Sequence, residues 1–88
     1  MDAHQIAVQI LELTGGASNI RALSHCMTRL RLELENRDLA ESELLKELDA
    51  VKGILYRGES GYQIIIGMEV RFIYRELQKL LQENHACR

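Results

Sequence analysis

Between Thr28 and Leu34 the sequence "TRLRLEL" alternates without a break, with Leu30, Leu32 and Leu34 on one side and Arg29, Arg31 and Glu33 on the other. Successive side chains of a strand point to opposite faces, so this run is a strand with one apolar and one charged face. A one-sided sheet must bury its apolar face under another layer. The rest of the chain supplies that layer. In "MDAHQIAVQILELTGG", Ile6, Ile10 and Leu13 recur at helical spacing, Asp2 with Gln5 resembles a capping box, and Gly15 and Gly16 supply the stop.

The remaining segments repeat the theme. "NIRALS" reads as a short extended piece that turns through the "SHCM" corner into the alternating run. "NRDLAESELLKELDAV" returns to the helical period, with Asp38 and Glu41 as a capping box and Ala40, Leu44, Leu45 and Leu48 on one face. "VKGILYRGESGYQIIIG" reads as two strands joined by a turn around Gly58, Glu59, Ser60 and Gly61, the second buried on much of both faces. "MEVRFIYRELQKLLQEN" closes as a helix with Val70, Ile73, Leu77 and Leu80 along one stripe. The order α-β-β-α-β-β-α predicts an α+β domain, an antiparallel sheet with helices on one face. With 88 residues and 47% hydrophobic content the chain has material for a single core, so one domain spanning 1–88 is expected. Its ordered part should cover about residues 3–83, ahead of a short polar tail.

Charge and cysteine usage narrow the chemistry. Eleven Lys and Arg stand against thirteen Asp and Glu, for a formal charge of −2, so the basic footprint of a nucleic-acid binder is missing. The two cysteines, Cys26 and Cys87, lie far apart, the second in the tail "ENHACR", which argues against a disulfide framework and for a reducing, cytosolic setting. His4, His85 and Cys87 form no metal-ligand spacing with Cys26, so no metal and no cofactor are expected. No stretch reaches the roughly 18 apolar residues of a membrane span, and "MDAHQ" lacks the marks of a signal peptide.

Cys26 stands just ahead of the charged strand face. A free thiol with a pKa near 8.5 is only a few per cent thiolate at neutral pH, and the thiolate is the nucleophile. Arg29 and Arg31 lie on the same strand face, about 7 Å apart, and can converge on one anion near the strand's start. Thr28 adds a hydroxyl, and the amides of the "HCMT" corner can form an anion-binding nest. A phosphoryl group bonded to sulphur suits this set of donors. The plain alternative is a small core cysteine beside a solvated arginine face. His25 reads as a surface residue, because chain neighbours in a strand or corner point apart. A tyrosine-phosphatase loop fails on spacing, since four residues rather than five separate Cys26 from Arg31 and a strand follows. A rhodanese-type loop fails for want of glycine in "CMTRLR".

With "TGGASNI", "HCMTRLRLEL" and "AVKGILYRGESGYQIIIG", nearly the whole chain resembles the IIB domain of the glucose/sucrose/β-glucoside branch of the bacterial phosphoenolpyruvate-dependent sugar phosphotransferase system. "HCMTRLR" with "YQIIIG" looks closer to the sucrose and β-glucoside members than to the glucose members. The resemblance implies a four-stranded antiparallel sheet with three helices on one face. It implies a phosphotransferase in which Cys26 takes a phosphoryl group from a phosphohistidine on a IIA partner and passes it to a sugar held by a membrane IIC permease. It places the phosphate-binding roles on Thr28, Arg29 and Arg31. The setting it implies is cytoplasmic, at the inner face of the membrane through IIC. The helix-free surface around Cys26 is expected to serve donor and acceptor in turn. Many relatives fuse IIB to IIC; this chain is read as either an excised domain or a stand-alone IIB. Two other readings stay beside the carrier: a module that binds a transcriptional regulator in one phosphorylation state, and a copy whose thiol never reacts.

Overall fold

The computed structural model describes residues 2–86, with side chains through Glu83. Helix α1 (Ala3–Leu13) is followed by strands β1 (Ile20–His25) and β2 (Arg29–Leu34), the short helix α2 (Ser42–Lys46), strands β3 (Gly53–Arg57) and β4 (Gly61–Ile65), and the long helix α3 (Val70–Ala86). All strand pairs are antiparallel, and the sheet order β1-β2-β4-β3 puts the two most buried strands in the middle. The expected α+β architecture is therefore present.

The alternation in β2 sets the layering. Leu30, Leu32 and Leu34 are buried, and across the sheet so are Tyr62 and Ile64 of β4. They meet Ala7 and Ile10 of α1, Leu45 of α2, and Val70, Ile73 and Leu77 of α3 in one apolar cluster. Each fully buried leucine or isoleucine contributes about 1.5–3 kcal/mol relative to an exposed one. The opposite face carries Arg29, Arg31 and Glu33 with Gln63 and Ile65, and no helix covers it.

Helix ends explain how the layers are joined. The Asp2 carboxylate accepts from the Gln5 N–H at 3.2 Å, as the capping residues predict. At the other end the Gly16 N–H reaches back to the Leu11 carbonyl at 2.9 Å, a Schellman-type closure for which Gly15 and Gly16 adopt positive φ of 107° and 89°. A Cβ on Gly15 would stand 2.7 Å from the Asn19 amide nitrogen. That amide has to be close. Asn19 is 3% exposed; its Nδ2 donates to the carbonyls of Thr14 at 2.7 Å and Asn36 at 3.0 Å, and its Oδ1 accepts from the Asn36 N–H at 2.9 Å. The asparagine of "GGASNI" thus ties the end of α1 to the segment leaving β2.

The second helical segment departs from its sequence reading. The chain makes a 3-10 turn at Arg37–Leu39, capped by the Asn36 side chain accepting from the Asp38 N–H at 3.0 Å, and only then the five residues of α2. Asp38 and Glu41 form no capping box: Asp38 is inside the first turn, and Glu41 precedes α2 without a side-chain cap. Leu45 is buried as expected, whereas Leu44 is 46% exposed. In so short a helix one apolar side chain suffices to anchor it.

Candidate functional site

Cys26 lies at the tip of the β1–β2 hairpin, exposed, and not within the core. Its N–H donates to the Arg29 carbonyl at 3.0 Å. A closed two-residue hairpin would return the Arg29 N–H to the Cys26 carbonyl. Instead that carbonyl accepts from Nδ1 of His25 at 3.0 Å, and the N–H groups of Thr28 and Arg29 are directed at the Cys26 sulphur. A carbonyl can only accept, so the His25 proton is on Nδ1. The His25 ring also packs against Tyr74 of α3, with centroids 4.5 Å apart. His25 therefore shapes the loop and anchors it to the helical layer.

The loop is held from its far side as well. The Thr28 carbonyl accepts two N–H groups, from Ile66 at 2.8 Å and Gly67 at 2.9 Å, which fixes the hairpin tip to the turn between β4 and α3. The planar Thr28–Arg29 peptide is pinned by that carbonyl, so the Arg29 N–H on its opposite edge is held toward the thiol.

These contacts lower the Cys26 thiol pKa below that of a free thiol. The largest cause is the hydrogen bond from the Thr28 N–H; desolvation by neighbouring atoms opposes it, the Arg29 N–H adds to it, and the charges of Arg31 and Arg29 contribute less. Sequence reasoning placed the guanidinium groups first; the amide of Thr28 outweighs them. Thr28 acts through its main chain, and β2 begins one residue later than the alternation suggests, at Arg29.

Arg29 and Arg31 project from the uncovered face on the same side of β2. The Arg31 guanidinium is exposed and, among the described residues, has no ion pair or hydrogen bond. Arg29 is half-buried and donates from one arm of its guanidinium to the Gln63 side-chain oxygen at 3.2 Å. Sequence reading passed over Gln63. The visible signal was a polar residue inside the apolar run "YQIII", and its meaning depends on register: Gln63 pairs with Arg31 and neighbours Arg29 diagonally.

Beside the thiol is an open cleft of about 340 Å³ lined by His25, Cys26, Met27, Met68, Val70 and Arg71. Met27 and Met68 are 75% and 69% exposed. The surface around Cys26 is therefore not free of helix, as the sequence suggested: the first turn of α3 forms one wall. A second cleft of about 260 Å³, between Ile6, Ala50, Ile66 and the charged Asp49, Lys52 and Glu69, holds no nucleophile. Cys87 lies outside the described residues. The assembled site is an accessible thiol of enhanced acidity with two backbone amides directed toward its sulphur and two guanidinium groups on the following strand, a combination that stabilises a transferring anionic group.

Residues 8–40 match the family model described as phosphotransferase system, EIIB. The chain is 40% identical over 81 residues to the sucrose-specific EIIBC component of Staphylococcus xylosus, covering 91% of this chain and 17% of that protein. It is 39% identical over 77 residues to the beta-glucoside-specific EIIBCA component of Bacillus subtilis, covering 88% of this chain and 12% of that protein. The chain thus spans less than a fifth of these relatives' length. A solved structure of one domain of the PTS system IIabc component from Clostridium difficile superposes with a TM-score of 0.81 at 32% identity, over 89% of this chain and 81% of that one.

Proposed function

The chain belongs to the EIIB family of the sugar phosphotransferase system, and from that premise we propose that Cys26 is a phosphoryl carrier between a IIA phosphohistidine and a sugar held by a membrane IIC component. The observation that carries this reading is the exposed Cys26 sulphur with the Thr28 and Arg29 N–H groups directed at it and its pKa lowered.

In the first step the Cys26 thiolate, having released its proton to solvent, attacks the phosphorus in line. The S–P bond forms as the N–P bond of the phosphohistidine breaks, and the bonding pair returns to the imidazole nitrogen. In the second step a sugar hydroxyl attacks the same phosphorus, the S–P bond breaks, and the sulphur leaves as thiolate while the hydroxyl proton passes to a base on the acceptor side. Arg29 and Arg31 bracket the equatorial oxygens with charge-assisted hydrogen bonds. The Thr28 and Arg29 amides favour the thiolate, which is attacking group in one direction and leaving group in the other. Positioning and charge stabilisation supply most of the acceleration in such transfers. The exposed Met27 and Met68 beside the thiol supply an adaptable apolar rim suited to two successive protein partners. The fusion of EIIB to C, or to C and A, in the relatives' names supports IIC and IIA as those partners and a working place at the membrane's inner face. The sugar is a property of the permease rather than of these residues.

The test is mass spectrometry after incubation with phosphoenolpyruvate, the general phosphorelay proteins and a IIA donor. The expected result is one phosphoryl group on the tryptic peptide running from Ala22 to Arg29, absent in Cys26→Ser. An unmodified peptide with several IIA donors and an intact fold would overturn the reading.

A further inference from the structure

We propose that Gln63 is a positioning residue for phosphoryl transfer, fixing the Arg29 guanidinium while leaving its positive charge free for the phosphoryl group; this rests on the carrier reading above. Gln63 occupies β4, a central strand, on the sheet face that no helix covers. Even so it is only 6% exposed, and its side-chain oxygen accepts from Arg29 Nη1 at 3.2 Å. A guanidinium has no acceptor, so the amide must present its oxygen to Arg29.

The choice of an amide matters chemically. A carboxylate at this place would bind Arg29 more tightly, but it would also cancel the charge that a dianionic phosphoryl group requires. An apolar side chain would leave Arg29 free to sample its rotamers, an entropic cost then met during each transfer. The neutral amide avoids both. It holds one arm of the planar fork and leaves the remaining N–H donors for the ligand. The site shows a division of labour: Arg31, on the same strand face, is exposed and has no hydrogen bond or ion pair among the described residues, so it adapts while Arg29 is held.

The experiment compares wild type, Gln63→Leu and Gln63→Glu in two readouts. The first is the 15N relaxation of the Arg29 Nε–H, with Arg31 as internal reference, which needs no phosphoryl donor. The second is the steady-state rate of transfer from phosphorylated IIA, with kcat and KM separated. Gln63→Leu should mobilise Arg29 without affecting Arg31 and lower kcat about ten- to a hundredfold, the range that a misplacement of about 1 Å produces, with KM for the donor little changed. Gln63→Glu should keep Arg29 ordered yet also lose transfer, which separates charge from position and does not depend on the leucine variant folding. An Arg29 that remains ordered in Gln63→Leu, or full transfer in either variant, would overturn the assignment. If the wild type takes up no phosphoryl group, the carrier reading fails on its own and the relaxation data alone decide the role of Gln63.

Discussion

Cys26 and Arg29 face each other across the hairpin tip in an asymmetric pair: the Cys26 N–H donates to the Arg29 carbonyl at 3.0 Å, while the Arg29 N–H is directed at the Cys26 sulphur. One backbone bond closes the turn and the other donor is diverted to the thiol. Because the diverted donor belongs to the backbone, removing either arginine's charge leaves it in place.

This gives a prediction about pH. Alkylation of Cys26 by iodoacetamide should rise with pH and level off with a midpoint below that of a free thiol, because a lowered pKa populates the thiolate at lower pH. Arg31→Gln should raise that midpoint only slightly, since the Thr28 N–H is the larger cause. A wild-type midpoint at or above that of a free thiol, about 8.5, would contradict the geometry of the loop.

Substitution of Arg29 by lysine keeps the charge and loses the planar fork, together with its hold on Gln63. Transfer from the IIA donor should slow by about ten- to a hundredfold with the thermal unfolding midpoint nearly unchanged. Unaltered transfer kinetics would remove Arg29 from the mechanism.

Stability should respond in the opposite pattern. Cys26→Ser changes an exposed side chain and should move the unfolding free energy by no more than about 0.5 kcal/mol. Asn19→Ala removes three hydrogen bonds within a buried corner and leaves their partners unsatisfied, so a loss of about 3 kcal/mol or more is expected in urea titration. A near-neutral Asn19→Ala would mean that the joint between α1 and the segment after β2 does not hold the layers together.

A third substitution probes the end of the sheet away from the thiol. The Tyr62 hydroxyl meets Ser42 Oγ at 2.6 Å, joining β4 to the start of α2, and burial pushes the Tyr62 pKa up. Tyr62→Phe should cost about 1 kcal/mol and leave transfer to Cys26 unaffected. A large loss of transfer would reveal a coupling between the two ends that the packing does not suggest.

The sheet and its layering were legible because alternation is a property of adjacent residues: Leu30, Leu32 and Leu34 declare their face without help from the rest of the chain. Cys26 and the two arginines were legible for the same reason, being close in sequence. What escaped depends on distant pairings. Gln63 acquires a role only when β4 lies beside β2 in one register, and the direction of the Arg29 N–H is set by the bonds that Ile66 and Gly67 make to the Thr28 carbonyl in the same peptide plane. The second helical segment misled because Asn36 and Asp38 are both good caps, and the buried joint at Asn19 selects Asn36 as the point where the chain turns.

The central claim is that the Cys26 site both accepts and releases a phosphoryl group, and the most direct measurement is reverse transfer. Protein labelled at Cys26 with radioactive phosphate, freed of its donor and mixed with unphosphorylated IIA, should return the label to the IIA histidine, with the thiol regenerated. Label that stays on Cys26, or is lost only to water, would contradict the account and mark the thiol as an end point rather than a carrier.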